Sequence, residues 1–116
     1  MNKEDKSLLL KDLCARLPYK VIIKSVGENK IIGLLDLRDI DNLPLPYLRP
    51  MSSMTDEEDT ERFYCMEIDG HGYPIGVDEY YFADYLDWLN AKHFDYRGLI
   101  EKGLAIEVTE ENNPYK

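Results

Sequence analysis

Apolar positions between Asp78 and Val108 first follow a helical period, then break, then alternate. Over residues 79–93, Phe82, Leu86, Leu89 and His93 share one stripe and Tyr81, Tyr85 and Trp88 the next, with Asp84, Asp87 and Ala91 opposite. This i, i+3, i+4, i+7 spacing predicts a helix with a broad buried face, capped by Asp78. At Asp95 the register breaks. Its carboxylate is placed to accept from the free N–H groups of a second, short helix starting at Tyr96, with Leu99 and Ile100 inward, Lys102 in the last turn and Gly103 at the stop. Leu104, Ile106 and Val108 then alternate with Ala105 and Glu107, as one buried face of a strand requires.

At the other end, Leu10, Leu13, Cys14 and Leu17 follow helical spacing while Lys3, Glu4, Asp5, Lys6, Lys11 and Asp12 are placed for solvent, so residues 3–17 read as a helix that Pro18 ends. Two apolar runs, 20–26 and 30–37, flank the turn residues Gly27, Glu28 and Asn29 and predict a β-hairpin. The adjacent pairs Ile22-Ile23, Ile31-Ile32 and Leu34-Leu35 place bulky side chains on both sheet faces or mark a bulge near Gly33. Pro44, Pro46 and Pro50 exclude a regular helix from residues 39–50 and favour an extended segment along the edge of the hairpin sheet. Thr55 and Glu58 form a capping box that starts a helix at Asp56. Phe63, Tyr64, Cys65, Met66 and Ile68 either finish that helix or form a strand, and Asp69-Gly70-His71-Gly72 is a turn. The predicted fold class is α+β: an N-terminal helix, an antiparallel β-hairpin extended by one or two further strands, two to three later helices packed on it, and a short C-terminal strand. Residues 1–108 read as a single domain, and 109–116, without apolar periodicity, as a mobile tail. Trp88, Phe82, Leu86 and Leu89 are expected to pack on Leu10, Leu13 and Leu17 or on the hairpin.

The strings LLLKDLCARLPY at 8–19, PYLRPMSSMT at 46–55 and FDYRGLIEKGLAIEV at 94–108 together cover about a third of the chain. On them the chain resembles a family of small uncharacterised bacterial proteins associated with phage and mobile-element regions of gut anaerobes. It is shorter than the longer members between Thr55 and Asp78. The resemblance implies a small intracellular domain and assigns no reaction, ligand or functional residue.

Composition changes this picture mainly through charge. Hydrophobic residues at 44% and charged residues at 32% are ordinary for a globular chain of 116 residues. The net charge of -9 is not evenly spread: residues 56–87 hold eleven acids against Arg62 alone, whereas residues 1–50 hold nine bases and seven acids. That third of the chain is expected to repel nucleic acid and anionic membrane. Cys14 and Cys65 lack metal-type spacing and read as buried, reduced thiols. The charged MNKEDKS start is unlike a secretory signal and no apolar run reaches membrane length, so the expected location is the cytoplasm.

Chemistry is sparse. The Asp69–Tyr73 loop presents His71 beside a carboxylate, yet His93, the second histidine, reads as a packed residue, and catalysis needs a partner in reach. The acids at 56–61 lack the glycine and oxygen spacing of a calcium loop and are better explained as first-turn residues. Ser52 to Met54 reads as cap and loop. No catalytic residue, metal ligand or cofactor is assigned. Three function classes are open: an interaction module, a nucleic-acid mimic that inhibits a DNA-binding protein, and a small enzyme centred on His71. The reading adopted is the first, a small acidic protein-protein interaction module whose partner has a basic surface. Its candidate partner-binding residues are Glu57, Glu58, Asp59, Glu61, Tyr64, Tyr73 and Tyr80.

Overall fold

The computed structural model describes residues 2–25 and 27–115; Val26, closing the first predicted strand, and Lys116, in the predicted tail, lie outside the described residues, as does Met1. In chain order the elements are α1 (Lys3–Arg16), β1 (Ile22–Ser25), β2 (Glu28–Ile31), β3 (Leu45–Pro50), α2 (Asp56–Glu61), β4 (Met66–Ile68), β5 (Pro74–Val77), α3 (Phe82–Ala91), β6 (Phe94–Asp95) and β7 (Ile106–Glu107). The fold is α+β, with two later helices rather than three.

Helix α1 starts where the Asn2 side chain accepts from Asp5 N–H at 2.7 Å. Its buried face is Leu9, Asp12, Leu13 and Arg16, a rotation of the predicted stripe: Cys14 is exposed, and Asp12, expected in solvent, is fully buried. The rotation is possible because Asp12 and Arg16, four residues apart, neutralise each other at 2.8 Å inside the protein.

The predicted hairpin is β1 and β2, paired antiparallel from Ile22 opposite Ile31 to Ser25 opposite Glu28, with Gly27 at φ 81° in the turn. Leu34–Leu37 is a 3-10 turn instead of more strand, because the Gly33 N–H is captured by Asp36 at 2.8 Å and Asp36 by Lys30 at 2.7 Å. The proline-rich segment is not at the sheet edge as predicted. As β3 it is the hub: antiparallel to β1 through Ile23 and Pro46, parallel to β6 through Arg49 and Phe94, and parallel to β7 through Tyr47 and Ile106.

A proline can sit in this hub because the ladder is completed from outside it. Ile22 and Tyr47 face each other one step beyond the Ile23–Pro46 pair. Between them lies the Tyr115 hydroxyl, which accepts from Ile22 N–H at 3.0 Å and donates to the Tyr47 carbonyl at 2.7 Å. The Tyr115 ring stacks on His93 with centroids 3.9 Å apart. The tail read as mobile is therefore anchored at Tyr115.

After β6 no second helix forms. Asp95 does accept from Leu99 N–H and Ile100 N–H, both at 2.9 Å, but Gly98 at φ 73° and Gly103 at φ 72° turn the chain twice within that span. Asp78 likewise caps a 3-10 turn, Glu79–Tyr81, through Tyr80 N–H at 2.9 Å, and α3 proper begins at Phe82.

Two apolar clusters result. One joins α1 to the sheet through Leu9, Leu13, Val21, Ile23, Leu48, Leu99 and Leu104. The other gathers Cys65, Tyr85, Leu89 and Phe94, with Trp88 half-buried between Tyr85 and Phe94 at 6.3 and 5.6 Å. Trp88 thus does not join the α1 leucines, and Phe82, placed in the core by its spacing, is 53% exposed. The radius of gyration, 15.4 Å, exceeds the about 13 Å of a compact domain of this length, and the long axis is 51 Å.

Replacing Tyr115 by Phe keeps the ring on His93 but leaves Ile22 N–H and the Tyr47 carbonyl unpaired. Urea unfolding should show a loss of about 1 to 3 kcal/mol, the cost of an orphaned buried polar pair. A loss near zero would mean that Ile22 and Tyr47 close on each other directly.

Candidate functional site

The acidic third folds as a small module at the edge of the second cluster. Thr55 and Glu58 make the predicted capping box, with Glu58 N–H to Thr55 Oγ1 at 3.2 Å and Thr55 N–H to Glu58 Oε1 at 3.1 Å, which starts α2. A 3-10 turn over Arg62–Cys65 leads into β4, and β4 pairs antiparallel with β5 in a two-stranded sheet separate from the main one. The connecting turn is tied by Asp69, whose Oδ1 accepts from His71 N–H at 2.8 Å and Tyr73 N–H at 3.0 Å. At the root, Asp78 N–H donates to the Cys65 carbonyl at 2.8 Å, and Arg62 donates to Asp59 at 2.8 Å and to the Tyr85 hydroxyl at 2.9 Å.

This arm exposes apolar surface to an unusual degree. Tyr64, Ile68, Tyr73, Ile75, Tyr80 and Phe82 are all between 45% and 84% exposed. Tyr81 collects two of them, meeting Tyr80 edge-on at 4.9 Å and Tyr64 at 5.7 Å. The exposed acids Glu57, Glu61, Glu67, Glu79 and Asp84 belong to the same stretch, and its one base, Arg62, is already held by Asp59 and Tyr85. Single exposed apolar residues are ordinary, whereas a concentration of them rimmed by charge is what interaction surfaces present.

Of the seven candidate residues, the structure gathers six near this arm and withdraws one. Glu58 is buried, and Arg49 grips both its oxygens at 2.6 and 2.7 Å while stacking on Phe94 at 4.2 Å from the ring centre. The Arg49 bonds hold the Glu58 carboxyl at about 2, well below its ordinary 4.5. Glu58 is a brace between β3 and α2, not a contact residue. Asp59 is occupied by Arg62, and Glu61 lies 3.5 Å from Lys92, leaving Asp56 and Glu57 as the acids of that helix with no ion pair among the described residues. Tyr64, Tyr73 and Tyr80 are all exposed. Ile68, Ile75 and Phe82 were missed, since strand alternation around Pro74 and Gly76 is too short to read and Phe82 fits the helical stripe.

The polar cluster behind the arm was missed as well. Asp12 receives Arg16 Nε and Arg97 Nη1, each at 2.8 Å; Arg16 Nη2 donates to the Phe94 carbonyl at 2.6 Å; and Tyr96, under both guanidiniums, donates to Asn90 at 2.8 Å. Its one signal in the sequence is an Asp and an Arg four apart among leucines. Beside it His93 holds the left-handed conformation at φ 64° after α3, its Nδ1 buried with no hydrogen-bond partner among the described residues. Burial first, then the nearby Arg16 and Arg49 charges, lower its pKa from 6.5 to about 4. His71 lies exposed on the arm's turn. Among the described residues no group of three or more His, Cys, Asp or Glu side chains is placed to hold a metal ion, and no helix is long and apolar enough to cross a membrane.

No family model matches the chain, nor does any curated protein or solved structure. The geometry of the arm alone supports a functional reading.

The two depressed pKa values set an acid profile. The unfolded chain binds protons more readily at both sites, so their stabilisation is full above the unfolded value and is lost as pH falls through the folded one. Stability should decline from pH 6.5 to about 4 through His93, and again from 4.5 to about 2 through Glu58. Asn tolerates positive φ, so His93→Asn should flatten the first limb and leave the second, as read by thermal melts across pH. An unchanged first limb would assign that proton elsewhere.

Proposed function

We propose that the protein is a small interaction module whose contact surface is the β4–β5 arm and the start of α3, and whose partner is a protein with a basic surface. The observation that carries this reading is the concentration of exposed Tyr64, Tyr73, Ile75, Tyr80 and Phe82 among acids that have no free base beside them. The rings supply contact area at low entropic cost and the acids supply attraction at a distance. The reading places the protein in a reducing cytoplasm, in keeping with free Cys14 and Cys65, and as an accessory of phage or mobile-element regions in line with the resemblance of its three strings.

The same charge would suit a nucleic-acid mimic bound to a DNA-binding protein, but the apolar arm favours an ordinary protein interface, since phosphate mimicry needs no exposed Ile75 or Phe82. An enzyme centred on His71 has less support, because the neighbouring Asp69 carboxylate is engaged by backbone N–H groups.

Charge and aromatic removal separate these readings. Glu57, Glu61, Glu67 and Glu79 changed together to Gln, with Glu58 left in place, should keep the fold. Association with a protein retained by the parent should slow about tenfold at low salt and lose most of its salt dependence. Tyr73→Ala with Tyr80→Ala should instead speed dissociation. Retention by both variants at parental rates would remove the arm from consideration, and a partner displaced competitively by duplex DNA would favour the mimic.

A further inference from the structure

We propose that the outer edge of β2 pairs with the same edge of a second copy of the chain, forming a twofold dimer around one continuous sheet. This does not rest on the partner assigned to the arm, and it uses different residues.

Among the described residues strand β2 pairs on one side only, with β1. Ile32 N–H donates to the Val21 carbonyl at 3.0 Å, so by antiparallel alternation Lys30 and Glu28 also turn their backbone groups toward β1, while Asn29 and Ile31 turn theirs outward. All four residues of β2 are exposed. On this open edge Ile31 is 56% exposed. An open strand edge is a template for another strand, and native proteins commonly cover or guard it.

Charge selects a second copy as the occupant. Residues 20–43 hold Lys20, Lys24, Lys30 and Arg38 against Glu28, Asp36, Asp39 and Asp41, four minus four, while the chain as a whole carries -9. Two copies therefore meet here with little repulsion, and a strongly basic or acidic partner gains nothing.

The register is also self-complementary. Outward residues must face outward residues, so the twofold axis passes through Asn29, Lys30 or Ile31. An axis at Lys30 sets two lysines against each other, and one at Ile31 runs Glu28 against Leu34, where the strand has ended. An axis at Asn29 lets Asn29 exchange both backbone bonds with its mate and places Glu28 opposite Lys30 of the second copy, twice, in the closer side-chain spacing of a non-bonded pair. Ile31 then faces Gly27, which has open space where a side chain would stand. A lysine commonly guards an edge by its charge; here Lys30 is already neutralised by Asp36 at 2.7 Å.

Sedimentation equilibrium of the full chain at about 100 µM, far above a micromolar Kd, should give about twice the 13.6 kDa monomer mass. Asn29→Pro removes only an outward donor from an edge strand and should return the mass to 13.6 kDa with unchanged circular dichroism. Glu28→Lys, which replaces each Glu28–Lys30 pair by two lysines, should weaken the dimer at least tenfold. A parent that sediments as a monomer at this concentration overturns the proposal, as does a dimer that survives both Asn29→Pro and Glu28→Lys.

Discussion

A buried guanidinium holds the two halves of this protein together. Arg16 has no exposed side chain, and it leaves α1, whose neighbours Leu9 and Leu13 belong to the first apolar cluster, to reach the carbonyl of Phe94 in the second. A charge taken so far from water costs several kcal/mol unless its surroundings replace the hydration. Asp12 supplies the counter-charge, the Phe94 carbonyl a second acceptor and the Tyr96 ring a negative face at 5.0 Å. Nη1 has no hydrogen-bond partner among the described residues. Arg97 completes the set by taking the other Asp12 oxygen, which fixes the turn after β6 to α1.

The same arrangement explains why β3 can be central despite Pro46 and Pro50. Each stretch of β3 borrows its pairing from a different region: β1 near Pro46, β7 near Tyr47 and β6 near Arg49. The joins between these partners are closed by side chains, with the Tyr115 hydroxyl standing between Ile22 and Tyr47 and the Arg49–Glu58 pair bracing the far end to α2. A hub assembled from such short pairings has little ladder redundancy, so single polar groups acquire structural weight.

How far the sequence was readable follows from this. Local chemistry was legible: the α1 span, the hairpin turn at Gly27, the Thr55–Glu58 box, the cap at Asp78 and the short strand at Ile106 all depend on residues within a few positions of each other, whereas Asp95 binds the N–H groups ahead of it without starting the helix expected there. What long-range partners decide was not legible. Asp12 looks like a solvent residue until Arg97 is brought to it, the proline segment looks like an edge until Tyr115 completes its ladder, and Phe82 looks like core because helical spacing records a stripe without recording what faces it. The acidic run marked the region of the candidate surface but could not separate Glu58, consumed by Arg49, from Glu57, which is not.

Polar and apolar groups are thus partly exchanged between inside and outside. Asp12, Arg16 and Asn90 occupy interior volume that leucines could fill, while Tyr73, Ile75, Tyr80 and Phe82 stand in water. These features are linked through the architecture of the second cluster. Among the described residues that cluster buries only Cys65, Tyr85, Leu89 and Phe94, and its cohesion comes also from the stacked Tyr85, Trp88 and Phe94 rings and from the guanidiniums of Arg16 and Arg49 at its base. Anchoring by directional bonds at the root leaves much of the arm's apolar surface in water, with Ile68 45% and Ile75 63% exposed. The contact surface we propose for the arm is drawn from these exposed side chains, which cost solubility where they stand.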